Sequence, residues 1–118
     1  MKETSMAEMS YPIELDCEAV LQLQKSGERF LFLDCREADE YETCRIAGAS
    51  LLPMSELQSR LDELEADRNN RIVIHCHRGG RSLRVANWLR AQGFSHAQSM
   101  AGGIHAWSER IDPQVPVY

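Results

Sequence analysis

The stretch Arg71-Ile-Val-Ile-His-Cys-His-Arg-Gly-Gly-Arg-Ser82 decides the fold class, because it joins a strand to a helix through a short loop. Ile72-Val-Ile74 is apolar and β-branched throughout, which is typical of a parallel strand covered on both faces. After the loop, Val85, Ala86 and Leu89 recur at helical spacing. A buried strand followed by a helix is the unit of an α/β domain.

Strand and helix patterns alternate along the rest of the chain. One helix is predicted from its Asp16 cap to Gly27. Another is predicted from Ser55, which has capping-box spacing, to Asp67. Short strands are predicted at residues 13–15, 30–33 and 97–100 and within residues 46–53. This alternation predicts a parallel sheet sandwiched between helices.

The composition is that of one ordinary globular domain. The chain has 118 residues, of which 43% are hydrophobic and 26% are charged, and these values exclude a disordered chain. Its longest apolar runs have four residues or fewer, far short of the roughly 20 that a membrane span needs. We expect a polar, flexible leader over residues 1–10 and one domain over residues 11–118.

Charge and cysteine usage bear on partners and compartment. Thirteen basic against eighteen acidic side chains give a formal charge of −5, which disfavours nucleic acid as a partner. Residues 1–10 hold one lysine and no apolar segment of signal-peptide length, which predicts a cytoplasmic protein. Cytoplasmic thiols stay reduced, so the four cysteines are predicted to be core residues, ligands or catalysts rather than disulfides.

The loop after the predicted central strand is the most chemically loaded stretch of the chain. In open α/β sheets ligands bind at the carboxyl ends of the strands, where Cys76 stands. Gly79 and Gly80 permit backbone angles that other residues resist, so the loop can curl and aim its N–H groups at one point. A cysteine beside such groups, at a helix N-terminus, has a lowered pKa.

Basic side chains strengthen this interpretation. Arg78, Arg81 and Arg84 place up to three positive charges near the cysteine in an otherwise acidic chain. Such a pocket suits a nucleophilic sulfur that attacks or carries an anionic group. A cysteine is more often a small buried apolar residue, and that role is assigned to Cys17 and Cys35.

Three motifs give the chain a resemblance to the single-domain rhodaneses, the thiosulfate sulfurtransferase family, over about residues 13–117. The first is Leu33-Asp-Cys-Arg-Glu37, followed by Tyr41 and Ile46-Ala-Gly-Ala49. The second is the Cys76 loop. The third is Ala101-Gly-Gly-Ile-His-Ala-Trp107, similar to the family's Gly-Gly-x-x-x-Trp. The first and third resemble structural signatures of the family, and the second is the specific one.

The resemblance implies a rhodanese-like fold, α/β with a five-stranded, mainly parallel sheet flanked by helices on both faces. It implies that Cys76 takes a sulfane sulfur from a donor such as thiosulfate, becomes a persulfide, and passes the sulfur to cyanide or a thiol. No cofactor or metal is expected. Arg78 and Arg81 would bind the oxygens of the anionic donor, with His77 in the same loop. The N–H donors to the sulfur would be Gly79, Gly80, Arg81 and Ser82.

Loop length separates two activities of this fold. Phosphatases and arsenate reductases that resemble rhodaneses have five residues between cysteine and arginine, whereas four separate Cys76 from Arg81. The shorter loop favours sulfur over phosphate. A persulfide carrier that hands sulfur to a protein partner remains open, because its chemistry at Cys76 is the same.

Supporting residues are expected at the end of the other apolar strand. There we expect Asp34 to accept loop N–H groups and Arg36 to pair with an acidic neighbour. His75 is expected to face the core, since adjacent side chains on a strand point to opposite faces. No residue spacing typical of a zinc site occurs, so no metal is predicted.

The chain departs from the commonest family pattern at Cys44-Arg45, where many members have Gly-His. Cys44 either approaches Cys76 as a resolving thiol or is a partly buried spectator, and the spectator is favoured. Arg45 either faces the active-site mouth or is a surface residue, and the surface role is favoured.

Overall fold

The computed structural model describes residues 11–118, so the predicted leader over residues 1–10 lies outside the described residues. In this described part of the chain five strands form one sheet, and all four strand pairings are parallel. The strands are β1 (Glu14–Leu15), β2 (Leu31–Asp34), β3 (Ser50–Leu51), β4 (Ile72–His75) and β5 (Ala97–Met100). The α-helices are α1 (Cys17–Ser26), α2 (Ala38–Thr43), α3 (Gly80–Ala91) and α4 (Gly103–Arg110).

The strand order is β1-β5-β4-β2-β3, which places β4 at the centre of the sheet. β4 pairs with β2 in a register that sets Leu33 beside Ile74 and Asp34 beside His75. Every residue of β4 is buried, as its continuous apolar sequence predicts. The carboxyl end of this central strand leads directly into the Cys76 loop.

Helices cover both faces of the sheet. On one face, Leu33 and Ile74 pack with Val85 and Leu89 of α3. On the other, Phe32 and Val73 pack with residues of α1 and α4, including Val20 and Trp107. Neighbouring residues of one strand therefore belong to opposite cores, as strand geometry requires. The predicted α/β architecture is confirmed, with a sheet that is wholly rather than mainly parallel.

The predicted ends of α1 agree with the structure. The Asp16 carboxylate accepts a hydrogen bond from the Ala19 N–H at 2.9 Å, which satisfies a donor that the first helical turn leaves free. Gly27 follows the helix with a φ of +76°, a left-handed conformation that favours glycine.

The predicted helix from Ser55 to Asp67 is wrong. The segment instead forms two 3₁₀ helices, Met54–Glu56 and Leu61–Asp67. The Ser55 hydroxyl donates to the Glu37 carboxylate at 2.7 Å, so it is engaged with a distant residue instead of capping a helix. Leu57 and Leu64 still face the core, which explains the helical spacing in the sequence.

Within residues 11–118 no helix combines the length and the apolar character that crossing a bilayer requires.

Candidate active site

Cys76 lies immediately after β4 and is 1% exposed. The backbone N–H groups of Gly79 and Ser82 donate to its sulfur at N···Sγ distances of 3.1 and 3.3 Å. The Ser82 hydroxyl oxygen lies 3.4 Å from the same sulfur. The hydroxyl oxygens of Ser82 and Ser99 lie 2.7 Å apart. When the Ser99 hydroxyl donates to the Ser82 oxygen, the Ser82 O–H can donate to the Cys76 thiolate. The sulfur therefore sits in a cradle of hydrogen-bond donors.

The two loop glycines have different roles. Gly79 has a φ of +108°, and a Cβ there would lie 3.1 Å from the Gly102 nitrogen, so both conformation and space favour glycine. Gly80 opens α3, has no positive φ, and would hold a Cβ without a contact within 4 Å. Of the two glycines, only Gly79 therefore uses the backbone freedom that the sequence offers for the curl. The Gly80 N–H belongs to the first helical turn, where N–H groups lack intrahelical partners.

The N-terminus of α4 holds the loop in shape. The Ile104 N–H donates to the Cys76 carbonyl at 2.9 Å, and the His105 N–H donates to the His77 carbonyl at 3.0 Å. With these carbonyls bound to α4, the N–H groups of the loop remain free to face the sulfur. The Gly-Gly motif before Trp107 thus positions the Cys76 loop, a role that its sequence alone does not reveal.

Gly103 is the tightest point of this contact, and we expect Gly103→Ala to disturb it. Its φ is +60°, and a Cβ would lie 2.4 Å from the His77 carbonyl oxygen and 2.5 Å from that of Cys76. We expect a loss of about 1–3 kcal/mol in the free energy of unfolding, measured in urea. Gly80→Ala is the matched control for stability, and equal losses in both variants would contradict the steric argument.

Hydrogen bonds set the charge state of Cys76. The neighbouring Cys35 thiol, as a potential donor to the ionised sulfur, is the largest influence lowering the pKa of Cys76. Burial opposes ionisation, but the hydroxyl and N–H of Ser82 and the N–H of Gly79 add to the lowering. Together they bring the Cys76 pKa from its ordinary value of about 8.5 to about 4. The predicted low pKa has its cause in these short-range donors, and Cys35, assigned above to the inert core, is one of them.

We expect the Cys76 thiolate to titrate with a midpoint near pH 4 in the folded protein and near 8.5 in the unfolded chain. Because the Cys76 pKa is lower in the folded protein than in the unfolded chain, ionisation of Cys76 stabilises the fold. This contribution is complete when the pH is above the pKa of the unfolded chain. That contribution decreases as pH falls and is gone below the folded pKa. The far-ultraviolet thiolate absorbance, taken as the difference from Cys76→Ser, measures the midpoint. A midpoint above about pH 8 would mean that the hydrogen-bond donors around the sulfur do not lower the Cys76 pKa.

The three arginines of the loop region differ in their exposure and in their partners. Arg78 and Arg84 are exposed. Arg81 makes a two-pronged ion pair with Glu40 of α2, with both N···O distances at 2.8 Å. The hydrogen bonds from Arg81, ahead of the opposing effect of burial, lower the pKa of Glu40 to about 2. Sequence reasoning missed Glu40, because its partner lies 41 residues away.

Asp34 and Arg36 are completely buried and paired with each other, at 2.7 Å between Nη2 and Oδ2. Asp34 also accepts the backbone N–H of Arg36 at 3.0 Å, and Arg36 donates to the Cys44 carbonyl at 2.6 Å. Arg36 thus pairs with an acidic neighbour as expected, whereas the backbone N–H that Asp34 accepts is that of Arg36 and not one of the Cys76 loop. The supporting role of both residues stays a prediction. His75 packs on Phe32 in the opposite core from Cys76, and burial lowers its pKa.

Tyr118 contacts the Cys76 loop and the residues that surround it. Its ring stacks on His77 with centroids 4.0 Å apart, and the His77 Nε2 atom lies 2.8 Å from its main-chain oxygen. The Tyr118 hydroxyl accepts from Arg36 at 3.0 Å and donates to Glu40 at 2.9 Å. Burial is the main cause that raises the pKa of Tyr118 to about 12, so this phenol stays protonated.

The remaining candidates lie away from the reactive sulfur. Cys44 is buried in the core on the other face of the sheet, with its sulfur 3.8 Å from Arg36 Nη1. Cys44 does not approach Cys76, so the structure does not support Cys44 as the resolving thiol. Arg45 is exposed over the Tyr41 ring. Within residues 11–118 no group of three or more His, Cys, Asp or Glu side chains is arranged to hold a metal ion.

The sequence pattern of the rhodanese-like domain matches residues 16–110. This chain belongs to the rhodanese family. It is 34% identical over 102 residues to a sulfurtransferase of Allochromatium vinosum, covering 86% of this chain and 94% of that protein. It is also 34% identical over 109 residues to the maize adenylyltransferase and sulfurtransferase MOCS3-2, where the match covers 88% of this chain but only 23% of the relative.

Solved structures agree with the rhodanese assignment. The human single-domain sulfurtransferase TSTD1 superposes with a TM-score of 0.77 at 26% identity, covering 85% of this chain and 98% of the human one. A rhodanese-like protein of Staphylococcus aureus shares the fold with a TM-score of 0.76 at 24% identity, covering 91% of this chain and 99% of its own. The predicted family and fold are therefore confirmed.

Proposed function

We propose that this rhodanese is a thiosulfate sulfurtransferase that forms a persulfide on Cys76 and passes the sulfur to cyanide or a thiol. The environment of the Cys76 sulfur is the observation that supports the proposal. The sulfur accepts backbone N–H groups, and its pKa is lowered to about 4. Its loop has four residues between Cys76 and Arg81. A thiolate is the nucleophile that sulfur transfer needs. The matched sulfurtransferase of Allochromatium vinosum supports the reaction class.

The proposed reaction has two displacements. The Cys76 thiolate attacks the outer sulfur of thiosulfate, the sulfur–sulfur bond of the donor breaks, and sulfite leaves with the electron pair. An acceptor then attacks the outer sulfur of the persulfide and regenerates the thiolate. Gly80 and Arg81 contribute first-turn N–H groups of α3 that have no partner in the helix, and we assign them to the outer sulfur.

Arg81 is the group proposed to bind the donor's oxygens, and Glu40 competes for it. We expect Arg81→Ala to raise the KM for thiosulfate about tenfold, the value of one charge-assisted hydrogen bond. Glu40→Gln removes the competing carboxylate and is expected to lower that KM. Steady-state kinetics with thiosulfate as the varied substrate measure both changes.

A small organic persulfide is the matched control donor, because it has no sulfonate oxygens for Arg81 to bind. Its kinetics should be nearly the same in the parent protein and in Arg81→Ala. An unchanged KM for thiosulfate in Arg81→Ala would remove this role from Arg81. A similar loss with both donors would assign Arg81 to holding the loop.

Mass spectrometry of the intact protein after incubation with thiosulfate tests the function, through an adduct of about 32 Da on Cys76. Parallel assays follow sulfur transfer to cyanide and hydrolysis of an aryl phosphate. The adduct with transfer to cyanide supports the proposal. Phosphate hydrolysis without the adduct would overturn it.

A persulfide carrier is the second candidate, because the chain is also 34% identical over 99 residues to the putative sulfur carrier YrkF of Bacillus subtilis. The match covers 84% of this chain and 52% of that relative. A carrier would form the adduct but transfer it poorly to cyanide, while a protein acceptor would discharge it. All four cysteines are free thiols, which supports a cytoplasmic, reducing compartment for either function.

A further inference from the structure

Cys35 and Cys76 are side by side at the ends of adjacent strands. β2 and β4 pair in parallel, with Asp34 beside His75. The Cys35 N–H donates to the His75 carbonyl at 3.0 Å and completes this last pair of the ladder, so the strands remain together up to the residues that follow it. The next residues in register are therefore the two cysteines.

The two thiols also share one face of the sheet. Cys35 is 2% exposed and belongs to the same core as Cys76, together with Leu33 and Ile74 of the same strands. The proximity of the two thiols raises the pKa of Cys35 and lowers that of Cys76. The proton between the two sulfurs therefore belongs to Cys35 while Cys76 is ionised.

The spacing of the two strands suits a disulfide. Adjacent strands of a sheet lie about 4.8 Å apart, and disulfides join residues whose Cα atoms are about 4.4–6.8 Å apart. Cys17 and Cys44 lie in the core on the opposite face, so the sheet itself separates them from Cys76.

We propose that Cys35 is a resolving thiol that discharges the Cys76 persulfide as hydrogen sulfide and leaves a Cys35–Cys76 disulfide. The inference rests on the proposed function, which supplies the persulfide. It adds a second outcome for the bound sulfur, reduction to sulfide, beside transfer to an acceptor.

The step needs no outside oxidant, because the sulfane sulfur accepts the two electrons that the two thiols lose. The Cys35 sulfur attacks the inner sulfur of the persulfide, and the bond between the two persulfide sulfurs breaks. The outer sulfur leaves with that electron pair and takes up the Cys35 proton as hydrosulfide, which water protonates to hydrogen sulfide. Two protein thiols are oxidised to a disulfide while the sulfane sulfur is reduced. A small dithiol reductant then returns the pair to thiols.

Anaerobic single-turnover loading of the full chain tests the step. The protein is loaded with thiosulfate or, separately, with inorganic polysulfide, the excess donor is removed, and mass and sulfide are followed over time. We expect the adduct of about 32 Da to give way to a species about 2 Da lighter than the reduced protein, with one sulfide released per chain. Peptide mapping should find Cys35 joined to Cys76.

Once loaded, Cys35→Ser and Cys35→Val should hold the adduct and release no sulfide, even if loading is slower without the Cys35 thiol. Cys44→Ser, the matched control, should behave as the parent protein does. Two Cys35 variants guard against a folding defect in one of them. A stable adduct in the parent protein, or equal sulfide release from the Cys35 variants, would overturn the inference.

The two donors separate this inference from the proposed function. Loading by polysulfide but not by thiosulfate, followed by the disulfide, would support the resolving role and overturn thiosulfate as the donor. Loading by thiosulfate with a lasting adduct would support the donor and overturn the resolving role. Failure of both donors to modify Cys76 would overturn both.

Discussion

Cys76→Ser is expected to reduce thiosulfate-dependent sulfur uptake to background while the domain stays folded. A serine hydroxyl does not form a persulfide, and it remains protonated where the thiol is ionised. The hydroxyl is smaller than the thiol and can use the N–H groups of Gly79 and Ser82, which donate to the sulfur in the parent protein. Intact mass after incubation with thiosulfate measures the loss, and circular dichroism checks the fold.

Cys17→Ser is the matched control, because Cys17 is as buried as Cys76 but lies in the other core. It places a hydroxyl in an apolar environment and is expected to cost about 1–3 kcal/mol of stability without affecting sulfur uptake. Sulfur uptake that survives in Cys76→Ser, or that is lost equally in Cys17→Ser, would remove Cys76 from the reaction.

Arg36→Met is expected to be the most destabilising of these substitutions, with a loss of about 3–5 kcal/mol in the free energy of unfolding. Both Arg36 and Asp34 are 0% exposed, so the substitution leaves a buried carboxylate without its counter-charge. The Cys44 carbonyl loses its 2.6 Å hydrogen bond as well. Urea unfolding followed by circular dichroism gives the change.

Arg60→Met provides the comparison for this ion pair. Arg60 pairs with Glu56 and Glu63 at 2.8 and 2.9 Å, but its side chain is 36% exposed, and exposed pairs contribute about 1 kcal/mol or less. Adding Asp34→Asn to Arg36→Met should recover part of the loss, because it removes the unpaired charge. Equal effects of Arg36→Met and Arg60→Met would mean that burial does not govern this pair.

The sequence predicts well what neighbouring residues determine. Ile72-Val-Ile74 predicts the buried central strand, and Asp16 and Gly27 mark the ends of α1, because each acts within a few positions of the chain. The Cys76 loop is found for the same reason, since Gly79 and the helix that follows stand within six residues of the thiol.

Contacts between distant segments are what the sequence does not predict. Cys35 was assigned to the inert core, because the β2–β4 register that sets it beside Cys76 is a property of the sheet. Two further contacts also join segments that are distant in sequence. They are the Arg81–Glu40 pair and the bond from the Ile104 N–H to the Cys76 carbonyl. The Ser55 helix failed for a related reason, since the Ser55 hydroxyl bonds to Glu37.

The pairing of Arg81 with Glu40 has a consequence for how the reactive sulfur responds to its medium. With that arginine already neutralised, the thiolate is held by nearby dipoles, chiefly the Cys35 S–H and the Ser82 donors. Added salt screens charges over about 10 Å at 0.1 M but leaves buried contacts almost unchanged. The nucleophile should therefore stay equally ionised in dilute and concentrated electrolyte, and only the capture of an anionic donor should vary with ionic strength.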